Sequence, residues 1–209
     1  MDTSNTNTAK SPKTGATITF LTAMLVVSVA LNVGLAYKVR GFTSAQEAQL
    51  AKVEAQRLKS GTAVPSLTVR RVDQADVQQP ETIGYTGADR PTVLHVLSPT
   101  CGWCARNEGS IKQLIAQRGN EYRFIGVSLV EQGATEYAAA HSLGVPIYSG
   151  LSEETKKAYK MGGTPQTIVV SAQGIVLANW NGAYLGKQKG AIEEFFKIEL
   201  PEIKLEKRS

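Results

Sequence analysis

Cys101 and Cys104 are the only cysteines in a chain of 209 residues, and in "SPTCGWCARN" they are separated by Gly102 and Trp103. Two thiols at that spacing can serve as a structural staple, half of a metal site, a haem attachment point or a redox couple. A c-type haem requires histidine directly after the second cysteine, and position 105 is alanine. A structural zinc needs four ligands, whereas the chain offers only His95, His141 and acidic side chains at no matching spacing, so no metal is expected. A disulfide closing so short a loop removes little entropy from the unfolded chain, which makes stapling a poor use of the pair.

Redox chemistry fits the surroundings. The run "TVLHVLS" (92–98) is β-branched and apolar, as a buried strand is, and the cysteines follow at once. Beyond them a helix is predicted, with Ile111, Leu114 and Ile115 on one face and Gly119 as its stop. Cys101 therefore falls where a strand turns into a helix. Free N–H groups and the helix dipole there favour a thiolate, and Cys104 lies one turn on, within reach of a mixed disulfide. The reactive pair is expected to need no cofactor.

These residues belong to an alternation of strands and helices that begins near Val64. "LTVRRV" (67–72) predicts a first strand, followed by a polar loop containing Pro80 and Pro91. "YRFIGVSLV" (122–130) and the shorter "VPIYSG" predict further strands, while "ATEYAAAHSL" (134–143) and "SEETKKAYKM" (152–161) predict helices. His141 reads as a surface residue of the first of these. "QTIVV" and "GIVLANW" predict an antiparallel hairpin across "SAQG", and a last helix covers Lys187 to Ile198. The order implies a mixed sheet with helices on both faces.

The N-terminal third differs in texture. Residues 1–15 are rich in Ser, Thr and Asn and read as a disordered tail. Ala16 to Tyr37 is a run of 22 uncharged residues, where roughly 20 span a bilayer, and it is expected to be a transmembrane anchor rather than a cleaved signal peptide. Gly34 and Ala36 have the spacing of a cleavage site, but the apolar run is long for a signal. Residues 38–63 read as a helical stalk or linker ending at Gly61, with Ala48, Ala51, Ala55 and Leu58 spaced along it, more simply a solvated spacer than a dimer seam. Residues 64–200 are expected to form the folded domain and 201–209 a C-terminal tail. The net charge of +5 arises from scattered basic residues, a pattern without a nucleic-acid footprint.

"CGWC" at the strand-to-helix junction, together with "GGTPQT" (162–167), resembles the thioredoxin superfamily over roughly Val64 to Ile198. The 64 residues from Cys101 to Pro165 make the chain similar to the membrane-anchored TlpA/ResA-like branch, whose extra helix and strand would be residues 134–161. The resemblance implies a thioredoxin-like α/β fold, a mixed central sheet flanked by helices with a central helix–strand insertion, behind an N-terminal transmembrane helix. It implies a cis peptide at Pro165, with the backbone of Thr164 beside it pairing with an extended substrate segment, and Trp103 shielding the sulfurs. His95 stands where thioredoxins carry a buried acid, six residues before the first cysteine, and is expected to lie beneath the pair near Cys104. Glu108 stands where related reductases carry a glutamate after the second cysteine.

What the resemblance implies for function is a thiol:disulfide oxidoreductase tethered to a bacterial cytoplasmic membrane through residues 16–37, single-pass, with its domain on the extracytoplasmic, periplasmic side. Its partners would be protein dithiols or disulfides and a redox partner protein. Two other readings stand beside it. A peroxiredoxin-like peroxidase would use Ser98 three residues before Cys101, although position 94 is leucine where a proline is expected. A non-catalytic redox-sensing module would use the pair to toggle an interaction.

Overall fold

The computed structural model describes residues 21–40, 57–73 and 79–203, which fall in two units, Met1–Gln56 and Arg57–Ser209. In the first, α1 (Leu21–Arg40) is a 20-residue helix of mean hydropathy 1.6, long and apolar enough to cross a membrane. It runs three residues past Tyr37, and residues 16–20 of the expected span lie outside the described residues. Its one amide side chain is satisfied within the helix, since Asn32 Nδ2 donates to the Ser28 carbonyl at 2.7 Å.

The second unit is built on seven strands, β1 (Leu67–Arg71), β2 (Glu81–Ile83), β3 (Thr92–Leu97), β4 (Arg123–Ser128), β5 (Ile147–Ser149), β6 (Gln166–Val170) and β7 (Val176–Asn181). They form one sheet in the order β2-β1-β5-β4-β3-β6-β7. Helices α2 (Gly102–Arg118), α3 (Ala134–His141) and α4 (Glu153–Ala158) lie between strands, and α5 (Gly186–Phe196) follows the last of them. β3 is buried at all six positions, which is why its sequence is apolar on both faces rather than alternating. It pairs in parallel with β4 through α2 and antiparallel with β6, so that Val96 stands opposite Gln166 and the peptide before β6 comes to the C-terminal end of β3.

Alternation along β3 divides the interior in two. Leu94 and Val96 join Leu67, Val69, Ile125, Ile168 and the end of α4 at Tyr159 in one apolar cluster. Val93 and Leu97 join Ile111 and Leu114 of α2, Tyr137 of α3 and Ile192 and Phe196 of α5 in the other, with Cys104 among them. Helix residues thus pack on both faces, as the sequence order implies.

Two local expectations are corrected. The loop after β1 contains β2, three residues that pair antiparallel with β1 through Leu67 opposite Ile83. Residues 57–63 are not the end of a solvated helical stalk: they run along the outer edge of β7. There Gly61 N–H donates to the Val176 carbonyl at 2.8 Å, Val176 N–H to the Thr62 carbonyl at 2.9 Å, and Leu58 is only 5% exposed. An edge strand needs such cover, and these main-chain groups supply it. Residues 41–56 of the proposed stalk lie outside the described residues. Gly119 ends α2 as expected, with an ordinary right-handed φ of −60°; its lack of a side chain matters because a Cβ would stand 2.8 Å from the Ile115 carbonyl. The 134–161 stretch holds two short helices, α3 and α4, around β5, as its sequence pattern predicts, one helix more than the single helix and strand of the insertion that the resemblance implies.

Candidate active site

Cys101 is the N-cap of α2, in extended conformation (φ −83°, ψ 102°), and its Sγ accepts the Cys104 N–H at 3.3 Å. The cap position explains the site: a sulfur aimed at unpaired N–H groups satisfies donors that the first turn of a helix leaves free. Burial works against the Cys101 thiolate. Hydrogen bonds from the Cys104 and Thr164 side chains and from the main-chain N–H groups of Cys104 and Trp103 outweigh it, and the thiol is held below its ordinary range. Cys104, one turn into the helix and 1% exposed, is pushed up to about 12, first by burial and then by its hydrogen bond to Cys101. One sulfur is reachable and acidic; the other is buried and protonated.

Across from α2, the Thr164–Pro165 peptide is cis, as the resemblance implies. Its geometry turns the Thr164 carbonyl toward Cys101, whose Sγ lies 3.4 Å away. Pro165 is buried and its carbonyl accepts the Gly182 N–H at 2.7 Å, locking the loop to the end of β7. Trp103 is 41% exposed beside the pair, and the Arg106 guanidinium sits over its ring, 4.9 Å from the centroid. Gly102 is exposed between the two cysteines.

His95 lies on the strand face that carries Val93 and Leu97, the face packed against Cys104 and α2. It is 4% exposed, and burial alone pushes the imidazole down to about 4, so it is neutral at physiological pH. Its Nδ1 has no hydrogen-bond partner among the described residues. Its neighbours in register are Gly126 on β4, which brings no side chain, and Thr167 on β6. Thr167 Oγ1 shares a 2.7 Å hydrogen bond with Tyr184, and Asn107 of α2 accepts the Tyr184 N–H at 3.0 Å. A polar row therefore runs through this cluster beneath α2.

Glu108 is not in the first turn of α2, which has no acidic residue. Its carboxylate accepts from Lys112 Nζ and meets His141 Nδ1, each at 2.6 Å. Burial raises the carboxyl, but hydrogen bonds from Lys112 and His141 outweigh it and hold it below the usual carboxylate range. His141 is thus no free surface residue: it is half-buried and stacks on Tyr137 with ring centroids 4.1 Å apart. Tyr137, a buried residue of α3 that the sequence analysis did not single out, is pushed up to about 12 by burial and then by negative charge on Cys104, Glu108 and Cys101. Its i,i+4 relation to His141 was visible; its place beside the sulfurs depends on how α3 packs.

Among the described residues no cluster of three or more metal-ligating side chains occurs. No protein-family model matches the chain, and no curated protein matches it in sequence. Solved structures do match it in fold. The thioredoxin domain of a thiol-disulfide oxidoreductase from Bacteroides vulgatus aligns with TM-score 0.53 at 15% identity, over 66% of this chain and 99% of that one. A candidate thiol:disulfide interchange protein DsbE from Chlorobium tepidum aligns with TM-score 0.55 at 18% identity, over 66% and 94%. A peroxiredoxin-like protein from Aquifex aeolicus aligns with TM-score 0.52 at 14% identity, over 68% and 87%. At these identities the likeness is one of architecture, and it agrees with the strand order, the cysteine-capped helix and the cis-proline loop: the chain has a thioredoxin-like fold.

Proposed function

We propose that this protein is a membrane-tethered thiol:disulfide oxidoreductase that exchanges disulfides with protein partners, with Cys101 as nucleophile and Cys104 as resolving residue. The observation that carries the reading is the asymmetry of the pair: a partly exposed, acidified thiol at a helix start against a buried thiol raised to about 12. Nucleophilic attack needs thiolate and access together, and only Cys101 has both. In the reducing direction the Cys101 thiolate attacks one sulfur of the partner's disulfide, that bond breaks, and the departing thiolate takes up a proton. Cys104 then loses its proton and attacks Cys101, which releases the second partner thiol and leaves the Cys101–Cys104 disulfide. A dithiol partner protein returns the pair to the reduced form, and the same steps reversed oxidise a dithiol. No cofactor is required beyond the two cysteines.

On this reading His95 takes up the Cys104 proton as the resolving sulfur attacks, a role supported by its position on the same face of the sheet and its neutral imidazole, which at about 4 is a weak base. Thr164 and Pro165 present a main-chain edge to an incoming segment. α1 is the tether, its 20 residues giving roughly 30 Å of apolar helix. The domain is assigned to the extracytoplasmic face of a bacterial cytoplasmic membrane, where a redox pair of this kind meets proteins that carry disulfides.

The test is the reduction potential of the full chain in detergent, measured alongside turnover of insulin disulfides. A potential near about −270 mV marks a reductant, and one near about −120 mV an oxidant. Absence of turnover with a normally titrating pair would leave a sensing module instead, and turnover of hydrogen peroxide without any disulfide would leave a peroxidase. Carbonate extraction of membranes is expected to leave the full-length chain in the pellet.

A further inference from the structure

Three stretches of chain meet at Cys101. The first is the start of α2 itself. The second is the α4–β6 connection, whose Thr164 carbonyl lies 3.4 Å from the Cys101 Sγ. The third is the β7–α5 connection, held to the other two because Gly182 N–H donates to the Pro165 carbonyl at 2.7 Å and Tyr184 N–H to Asn107 Oδ1 at 3.0 Å. Residues 101–107, 159–165 and 181–188 carry one charged side chain each: Arg106, Lys160 and Lys187. All three are cations, all are exposed, and none makes an ion pair among the described residues. Cations farther along the same helices are paired instead. Lys112 and Arg118 of α2 meet Glu108 and Glu121, Lys156 of α4 meets Glu153, and Lys189 of α5 meets Glu193 and Glu202. Lys157 of α4, also exposed, is a further cation without an ion pair among the described residues. On the α3 side the balance differs: Glu108 is bound by Lys112 and His141, Glu131 by Arg70, and Glu136 alone is left over.

Arg106 is moreover held in place. Its guanidinium lies over the Trp103 ring, 4.9 Å from the centroid, and donates no hydrogen bond among the described residues, so its fork of donors is left to an outside acceptor. The cations are not needed for the acidity of the nucleophile. Burial raises the Cys101 thiol and hydrogen bonds from Cys104, Thr164 and Trp103 lower it, with no cation among these causes. Like charges left unpaired repel one another and stabilise nothing inside the fold, but they draw an opposite charge toward the sulfur they surround. A lipid surface held by them would cover that sulfur, whereas a segment bearing carboxylates beside a disulfide would deliver the disulfide to it.

We propose that Arg106, Lys160 and Lys187 form a cationic rim that selects partners whose reacting disulfide is flanked by acidic side chains. The inference rests on the redox reading above and deepens it by naming the substrate class. Its test uses the reduced full-length protein in neutral detergent and two peptide disulfides of equal length, one flanked by Asp and Glu, the other by Lys. Each rate of mixed-disulfide formation is divided by the same peptide's rate with dithiothreitol, which removes the peptides' own difference in reactivity. The acidic peptide is expected to react at least about tenfold faster than the lysine peptide at about 0.02 M salt, and the ratio should fall below about threefold at about 0.5 M. Arg106→Gln/Lys160→Gln/Lys187→Gln should bring the low-salt ratio close to one, and the corresponding triple Glu variant should invert it. Both readings are ratios within one preparation, so partial unfolding of a variant does not mimic them. The control Lys59→Gln/Lys197→Gln, which removes two exposed cations from the β7 edge segment and the far end of α5, should keep the wild-type ratio. Equal rates for the two peptides, a preference that salt does not weaken, or a control that loses the ratio as the triple variant does would each overturn the rim while leaving disulfide exchange intact. Failure of the wild type on both peptides and on 2-hydroxyethyl disulfide would instead remove the redox reading and the rim together.

Discussion

The cysteine pair lies between two unlike walls. Toward the cis-proline loop, Gly162, Gly163 and Thr164 present main chain and almost no side chain. Toward α3, Tyr137, His141, Glu108 and Lys112 form a stacked and ion-paired seam. Below both, the strand face holds a neutral His95 and the Thr167–Tyr184–Asn107 row. The contrast separates two tasks. On the proposed function, access falls to a wall with few side chains, while the charge state of the sulfurs is set from the helix start and from burial. Specificity and reactivity can then be altered independently.

The largest test of that separation is at the sulfurs themselves. Cys101→Ser is expected to lower disulfide turnover by about 10³-fold or more, the scale on which removing a nucleophile acts. Cys104→Ala should instead leave the first attack in place and accumulate mixed disulfide with the partner. Iodoacetamide at pH 7 should label Cys101 well before Cys104, because the first thiol is lowered and the second is raised to about 12. Mass mapping of the labelled peptide decides the order, and labelling of Cys104 first would reverse the roles.

A smaller effect is expected at the buried floor. His95→Ala should slow release of the mixed disulfide by about 10- to 100-fold at pH 6 to 7, at or below the lower limit for general base catalysis because the imidazole is a weak base, and change the first attack much less. Equal slowing of both steps would make His95 a packing residue. Its burial has a second consequence. The folded-state value of about 4 lies below the ordinary 6.5, so between those values the unfolded chain holds a proton that the folded chain does not. Stability that is complete above pH 6.5 is therefore lost as pH falls toward 4, by about 3 kcal/mol. Denaturant titrations of wild type and His95→Leu should diverge in slope across that window, the variant being flatter.

How much of this was legible in the sequence depends on the range of the contacts involved. The 92–97 strand, the cysteine at the helix start and Pro165 were readable because each depends on neighbours a few residues away: an apolar run, a strand-to-helix junction, a motif. β2 was not, since three residues with Glu81 and Thr82 exposed carry no strand pattern and pair only because Leu67 and Ile83 meet. The segment 57–63 reads as the end of a helix because the residues before it are rich in helix formers, whereas the open edge of β7 decides its conformation. Tyr137, Asn107 and Tyr184 reach the site from three separate elements, and no local spacing foretells that. Glu108 was found for its position after Cys104, but the partner that engages it, His141, is 33 residues away.

That engagement leads to the smallest effect. Glu108 is bound on two sides, by Lys112 and His141, and its side chain is 23% exposed. The Glu108 carboxylate raises Tyr137, which packs in one cluster with Cys104, and the same direction of effect is expected at the sulfurs. Removing the charge should ease ionisation of Cys101, so Glu108→Gln is expected to speed its alkylation at pH 6. A partly solvated charge contributes at most about 1 kcal/mol, which caps the gain at roughly fivefold and makes it shrink with added salt. Loss of the Lys112 and His141 bonds should cost stability on the same small scale, present above pH 4.5 and absent once the carboxylate is protonated. A stopped-flow alkylation series in low and high salt separates the cases. A slower rather than faster reaction, or a salt-independent change above tenfold, would mean that Glu108 contacts the reacting sulfurs directly. The α3 wall would then belong to the chemistry itself, and the division between the two walls would fail.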